Sequence, residues 1–247
     1  MNKQVIMNWS GGKDSALALH RLLQNPACTV SHLLTTANRT LNRVSMHGVR
    51  MELLEQQAQS IGIPLHKVWL SETVSMQSYS QTMQQTLKSL KTDSLTQAAF
   101  GDIFLEDLKQ YRENQLATAG FQGVFPLWQE NPHRLIDEFI EQGFKAVIVC
   151  VNEARLDASF VGRPLDRDFV KDLPAGVDVC GENGEYHSFV YDGPLFRHPV
   201  AFTHGEKVRR TYTPVQPSDG DNCYRSASNT PWDTGFWYQD LVPLATR

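Results

Sequence analysis

Ser10, Gly11, Gly12, Lys13, Asp14 and Ser15 put two glycines, a cation, a carboxylate and two hydroxyls into one turn-length string, SGGKDS. Adjacent glycines let backbone amides approach an anion closely. A helix starting at this point adds unpaired amides and a positive dipole end, so a phosphate group is the expected ligand. The string is not a Walker A loop, because the lysine follows two adjacent glycines and Asp14 occupies the Ser/Thr place. The plainer reading is a tight strand-to-helix turn capped by Asp14 or Ser15.

A second polar concentration is CGENGEYHS at 180–188. Glu182, Asn183, Glu185 and His187 fall around Gly181 and Gly184, a composition that folds as a loop, with His187 entering the strand that follows. Such groups recognise a cation or act as a general base; otherwise they form a polar turn between strands. Gly101 and Asp102 fall at a strand end, where Asp102 either faces a ligand or caps the next helix. Arg163 and Asp166, in GRPLDRDF, are supporting candidates, with Asp166 also suited to capping a helix through Val170. His47, in SMHGV, belongs to a glycine-containing loop near the second strand. Glu106, Lys109, Arg112 and Glu113 read as a solvated helix face with ion pairs at i,i+3 and i,i+4.

The elements that must position these groups follow from hydrophobic period. Residues 3–9 (KQVIMNW) form a strand that runs straight into Gly11 and Gly12, and 15–23 follow at helical spacing. Strands are expected at 28–36, 65–70, 94–100, 123–127 and 145–151. Helices are expected at 49–61, 76–90, 103–119 and 132–142, with Gly62 and Gly120 as stops. This alternation predicts parallel pairing with right-handed crossovers. After about residue 152 the helical period fades, and short strands are expected at 188–191 and 207–212. The expected division is therefore 1–127, a nucleotide-type α/β domain, and 128–247, a smaller and less regular one. Residues 214–231 read as a polar loop, and the aromatic segment 236–243 is expected to dock on the body.

The 247 residues carry 23 basic and 27 acidic side chains, a net charge of −4, which supplies no general basic footprint for nucleic acid. With 41% hydrophobic and 20% charged residues the chain is of ordinary globular type and not a disordered one. The longest clean apolar run, 146–151, falls far short of the roughly 20 residues that span a bilayer. No charged-then-apolar leader follows Met1, so the expectation is a cytoplasmic protein with no membrane partner. Cys28, Cys150, Cys180 and Cys223 form no CxxC pair, and buried free thiols are expected rather than a zinc or redox site.

SGGKDS resembles the pyrophosphate-binding (PP) loop of the ATP pyrophosphatase superfamily. GDIFLEDLKQYRE (101–113), GVFPLW (123–128), FVGRPLDRDF (160–169) and CGENGEYHSFVYDGPLF (180–196) resemble successive signatures of the diphthine ammonia ligase family, and the match is that of a compact prokaryotic member. The resemblance implies a parallel-sheet, Rossmann-like ATP-binding domain of the adenine nucleotide alpha hydrolase type, with a smaller α+β substrate domain. It implies an AMP-forming ligase: a carboxylate is adenylylated, pyrophosphate leaves, and ammonia displaces AMP. On this basis Ser10, Gly11, Gly12, Lys13, Asp14, Ser15, Gly101 and Asp102 would bind ATP, with Asp14 holding Mg2+. Lys13, Asp14, Glu185 and His187 would be catalytic, and His47, Arg163, Glu182, Asn183 and Glu185 would meet the substrate. Ammonium is the implied nitrogen donor. The acceptor is diphthine on elongation factor 2 in an archaeal or eukaryotic cell, and an unidentified small carboxylate in a bacterium. A homodimer is compatible with this reading. A tRNA-base thiolase would want the missing CxxC, and a nonenzymatic nucleotide-binding module would not need the second polar string.

Overall fold

The computed structural model describes residues 3–45, 47–71, 75–211 and 235–244. Its first half alternates as the hydrophobic period predicts: β1 (Lys3–Asn8), α1 (Lys13–Gln24), β2 (Cys28–Asn38), a two-residue β3 (Arg43–Val44), α2 (Met51–Ile61), β4 (Leu65–Leu70), α3 (Met76–Leu90), β5 (Leu95–Ala99), α4 (Glu106–Ala119) and β6 (Gln122–Val124). The second half holds α5 (Pro132–Glu141), β7 (Lys145–Asn152), α6 (Arg167–Asp172), β8 (Tyr186–Asp192), β9 (Phe202–Thr211) and β10 (Gly235–Pro243).

Sheet A runs β4, β2, β1, β5, β6, all parallel. The chain builds outward from β1 to β2 and β4, then crosses to the other side of β1 for β5 and β6. The order therefore reverses between β1 and β5, which makes the crevice beyond their carboxyl ends the natural ligand position. Alternation along β1 sets its two faces. Val5 and Met7 pack with the buried residues of α1 and α2, whereas Ile6 packs with Leu87 of α3 and Leu116 and Ala119 of α4. The long β2 gives one edge to β4 and the other to β1; where β1 stops, the short antiparallel β3 takes over that second edge. The segment after β3 is thereby carried over the exit of β1.

Sheet B is antiparallel, in the order β8, β7, β10, β9. Its central β7 is buried along Ala146 to Val151, as a continuous apolar strand requires. Val147, Val149 and Val151 belong to the same core cluster as Val5 and Met7, together with Leu135, Ile136 and Phe139 of α5.

Some expected boundaries move. The helix predicted from Ile103 begins at Glu106, because Ile103 is buried in the connection instead, and Asp102 does not cap it. Strand β8 begins two residues earlier than expected, and β9 begins at Phe202. Segment 236–243 does dock: as β10 it is an inner strand of sheet B. The 214–231 loop and Cys223 lie outside the described residues, whereas Cys28, Cys150 and Cys180 are free thiols. Among the described residues no helix is long and apolar enough to cross a membrane.

Candidate active site

The phosphate loop emerges from β1 into α1, and two elements, α2 and β8, brace it. Gly11 adopts φ +77°, a left-handed conformation that favours glycine, and its carbonyl accepts from the Val190 amide of β8 at 2.9 Å and from Gln57 Nε2 of α2 at 3.1 Å. Gln57 is fully buried; it also donates to the Val190 carbonyl and accepts from Trp9 Nε1 at 2.8 Å. Ser10 Oγ accepts from the Gly12 amide at 3.2 Å, and Ser15 Oγ donates back to the Gly12 carbonyl at 2.9 Å. The capping reading therefore describes part of the loop. Its hydroxyls hold the turn, but Asp14 does not cap α1.

Lys13 is almost fully buried, its amide donating to Ser188 Oγ at 3.1 Å and its ammonium to Asp14 Oδ2 at 2.8 Å. Nζ also sits 5.1 Å from the centre of the Tyr186 ring. Burial opposes the charge on Lys13, yet Asp14 together with Tyr186 and Cys180 outweighs it, and the lysine pKa is raised. Asp14 keeps 31% of its side chain exposed at the mouth of the loop. Burial pushes its pKa up against the pull of Lys13, with Asp178 and Asp102 adding repulsion.

Gly101, just beyond β5, lies directly against the loop: a Cβ there would come within 2.7 Å of the Asp14 carbonyl carbon. The buried Asp102 faces Arg112 of α4, whose Nη2 donates to Oδ1 at 3.1 Å and whose Nε lies 2.7 Å from Oδ2. Sequence reasoning placed Arg112 on a solvated face. Of the pairs expected on that helix, Lys109 with Glu113 forms, at 3.3 Å, while Arg112 turns to the site.

The turn at 178–188 closes the opposite wall. Asp178 Oδ2 accepts from the Glu182 amide at 2.8 Å, and Glu185 Oε1 accepts in return from the Asp178 amide at 3.1 Å and from Asn183 Nδ2 at 3.1 Å. Tyr186 completes it through a 2.6 Å bond from its hydroxyl to the Val179 carbonyl. Glu185 is 3% exposed and faces inward as the organiser of the turn, while Asn183 stands at the surface. Glu182 reaches across, accepting from the Ile103 amide at 2.8 Å. Its burial, reinforced by the nearby Asp14 and Asp102, pushes its pKa up to about 8, so it carries a proton at neutral pH. Cys180 lies below, its thiol donating to the Pro132 carbonyl; burial pushes its pKa up to about 12, which makes it an inert thiol.

His47 and His187 meet over the loop, ring centres 4.5 Å apart. Burial lowers the His47 pKa to about 4, and burial with His47 and Lys13 nearby takes His187 well below its ordinary value, so both imidazoles are neutral at pH 7. A Cβ on Gly12 would come within 3.0 Å of His47 Cε1, which fixes that ring against the phosphate loop. Arg163 lies elsewhere: it pairs with Asp172 at 2.7 Å and stacks on Phe160 and Phe169. Asp166 caps α6, accepting from the Phe169 amide at 2.8 Å.

The site thus joins Ser10 to Ser15, His47, Gly101, Asp102, Glu182 and His187, and adds Gln57, Arg112, Asp178 and Ser188. Ser188 is the last residue of the expected string CGENGEYHS, whereas Gln57 and Asp178 carry no motif of their own. Among the described residues no group of three or more His, Cys, Asp or Glu side chains converges to hold a metal by itself. The partly exposed Asp14 carboxylate does suit an ion that takes most of its ligands from phosphate and water.

The model of the diphthamide synthase N-terminal domain matches residues 3–122, and that of the diphthamide synthase C-terminal domain matches 131–214. A diphthine–ammonia ligase of Bos taurus is 30% identical over 143 residues, 56% of this chain and 54% of the bovine one, so the match spans about half of that relative. The Homo sapiens diphthine–ammonia ligase is 26% identical over 220 residues, covering 81% and 82%. A solved structure described as a predicted subunit of tRNA methyltransferase from Methanocaldococcus jannaschii aligns with TM-score 0.40 at 16% identity, over 76% of this chain and 96% of that one.

Proposed function

Because the chain belongs to the diphthamide synthase family, we propose that it is an ATP-dependent ligase that makes an amide from a carboxylate and ammonia, with diphthine on elongation factor 2 as the acceptor. The observation that carries this reading is the seating of the 178–188 turn against the phosphate loop at the reversal of strand order, which brings Lys13, Asp14 and Glu182 to one crevice.

The chemistry has two steps. A carboxylate oxygen attacks the α-phosphorus of ATP and the bond to the β-phosphate oxygen breaks, giving an acyl adenylate and pyrophosphate. Ammonia then attacks the acyl carbon, the bond to AMP breaks, and the nitrogen sheds a proton. Loop amides and Lys13 Nζ neutralise charge that grows on the departing pyrophosphate, where preorganised donors act best. To serve there, Lys13 trades part of its contact with Asp14 for phosphate. Magnesium, taking Asp14 as its carboxylate ligand, would add charge neutralisation at the phosphates. Glu182 is the group matched to ammonium: protonated in the free protein, it ionises as a cation arrives and then takes a proton from the nitrogen, its pKa of about 8 being close to working pH. His47 and His187 stay neutral and present uncharged ring edges beside the phosphates.

The test is product analysis with ATP, magnesium and ammonium, with and without diphthine-bearing elongation factor 2, and with a pool of carboxylate metabolites. AMP and pyrophosphate formed only with the elongation factor are the expected result. AMP formation that requires a small carboxylate instead would keep the chemistry and overturn the acceptor. ATP binding with no AMP under any condition would overturn the ligase.

A further inference from the structure

We propose that Asp240 of β10 is a positioning residue for the nucleotide site, acting through the hairpin that carries His47. The proposal rests on the nucleotide reading above and extends it to a strand that neither polar string contains.

Residues 43–45 and 47–50 form the two arms of a hairpin. The Val44 amide donates to the Val49 carbonyl at 2.8 Å, the His47 amide to the Ser45 carbonyl at 2.8 Å, and Arg43 and Arg50 face each other across its base. Both of those arginines grip one carboxylate. Arg43 Nη2 donates to Asp240 Oδ1 at 2.8 Å, and Arg50 donates from Nε to Oδ1 at 3.1 Å and from Nη2 to Oδ2 at 2.6 Å. Arg43 also ties the base to the tip, Nη1 donating to the Gly48 carbonyl at 2.7 Å. Gly48 adopts φ +68°, and a Cβ there would come within 2.9 Å of the Tyr238 ring, so the tip rests directly on β10.

The other side of the tip is the functional one. His47 lies on His187 and against Gly12 of the phosphate loop. Asp240 and Tyr238, two residues apart on one strand, therefore set the height of the His47 ring over that loop. Three charge-assisted bonds to one carboxylate, only 17% exposed, make the placement directional in a way that apolar packing is not.

The test uses the full chain with ring-labelled histidine, the His47 resonance being assigned from His47→Ala, together with calorimetric titration by ATP and magnesium. Asp240→Asn is expected to keep the fold, to move the His47 ring resonance toward that of a solvated imidazole, and to weaken ATP binding roughly tenfold, with Asp240→Glu recovering most of it. If His47 carries the effect, adding Asp240→Asn to His47→Ala weakens binding no further. Lys145→Met, which removes an exposed pair with Asp192 on the same sheet, should change neither readout. An unmoved His47 resonance in Asp240→Asn, or an effect that persists in full without His47, would overturn the proposal. If Asp240→Asn does not fold, Arg50→Lys, which breaks the fork at its more exposed side, reads the same resonance with the same two outcomes. A wild-type chain that bound no ATP would sink the nucleotide reading alone, and the resonance would still decide the positioning.

Discussion

Asp14 and Glu182 are both carboxyls under strain from burial, yet the structure gives them opposite uses. Asp14 is tied to Lys13 and open to solvent on one side, so it can turn to an arriving cation. Asp14→Ala should abolish AMP formation while leaving the melting temperature within a few degrees of wild type; unchanged turnover would remove it from the metal role. Glu182 behaves differently because its native pKa stands near 8 against an ordinary 4.5. A group whose folded pKa is raised stabilises the fold below its unfolded value, and that contribution is lost as pH rises through the folded pKa. Glu182 therefore costs stability progressively between about pH 4.5 and pH 8, and Glu182→Gln removes the cost. The variant should melt higher than wild type at pH 8, by the equivalent of about 1–3 kcal/mol, and match it near pH 4, while losing amide formation. A pH-independent difference would mean that the carboxyl ionises normally.

At the scale of elements, the loop is only as well placed as α2 and β8 make it, and Gln57 joins the two. Gln57→Leu would conserve size but leave Trp9 Nε1 and the Val190 carbonyl without the partner they now have. Urea unfolding should register a loss of about 2–4 kcal/mol, with ATP affinity falling as well because Gly11 is released on one side. Gly101→Ala makes a complementary test, since the added methyl must push β5 away from α1; overpacking of this kind costs about 1–3 kcal/mol. These ties also show what sequence could and could not disclose. The βα alternation was legible because buried parallel strands and amphipathic helices have different periods, and Leu65–Leu70 and Met76–Leu90 stand where that pattern put them. SGGKDS was legible because it is local. Gln57, Asp178 and Arg112 were not, for each gains its role from a partner distant in sequence or from a turn whose path no local preference sets. Arg112 is the instructive case: its helical spacing beside Glu113 fits a solvated face, yet Asp102, ten residues back, turns it inward. Arg163 is the converse, a residue in a signature string that the structure pairs with Asp172, away from the phosphate loop.

The whole molecule couples its two sheets more tightly than the contrast between its halves suggests. One buried cluster runs from Val5 and Met7 through α1 and α2 to Val147, Val149 and Phe189. Polar junctions reinforce it, among them the backbone bond from Val190 to Gly11 and the arginine pair on Asp240. Separating the sheets would strip water-excluded surface from both and orphan these groups together, so neither half has a cheap route to unfolding alone. Native-state hydrogen exchange should give the amides of Val5–Met7 and of Ile148–Val151 the same opening free energy, equal to that of global unfolding. A lower value for one set would establish two independently unfolding units. Acid should weaken both sets in step. Burial takes the His47 pKa to about 4 and that of His187 well below its ordinary value, so both are neutral in the fold and protonated in the unfolded chain below 6.5, and stability present above 6.5 is lost as pH falls toward these lowered native values. Because that pair joins the hairpin of sheet A to β8 of sheet B, its protonation loosens the junction from both sides. His187→Gln should remove part of the acid dependence for both sets of amides alike, whereas relief confined to sheet B would show that the histidines serve one sheet and not the seam.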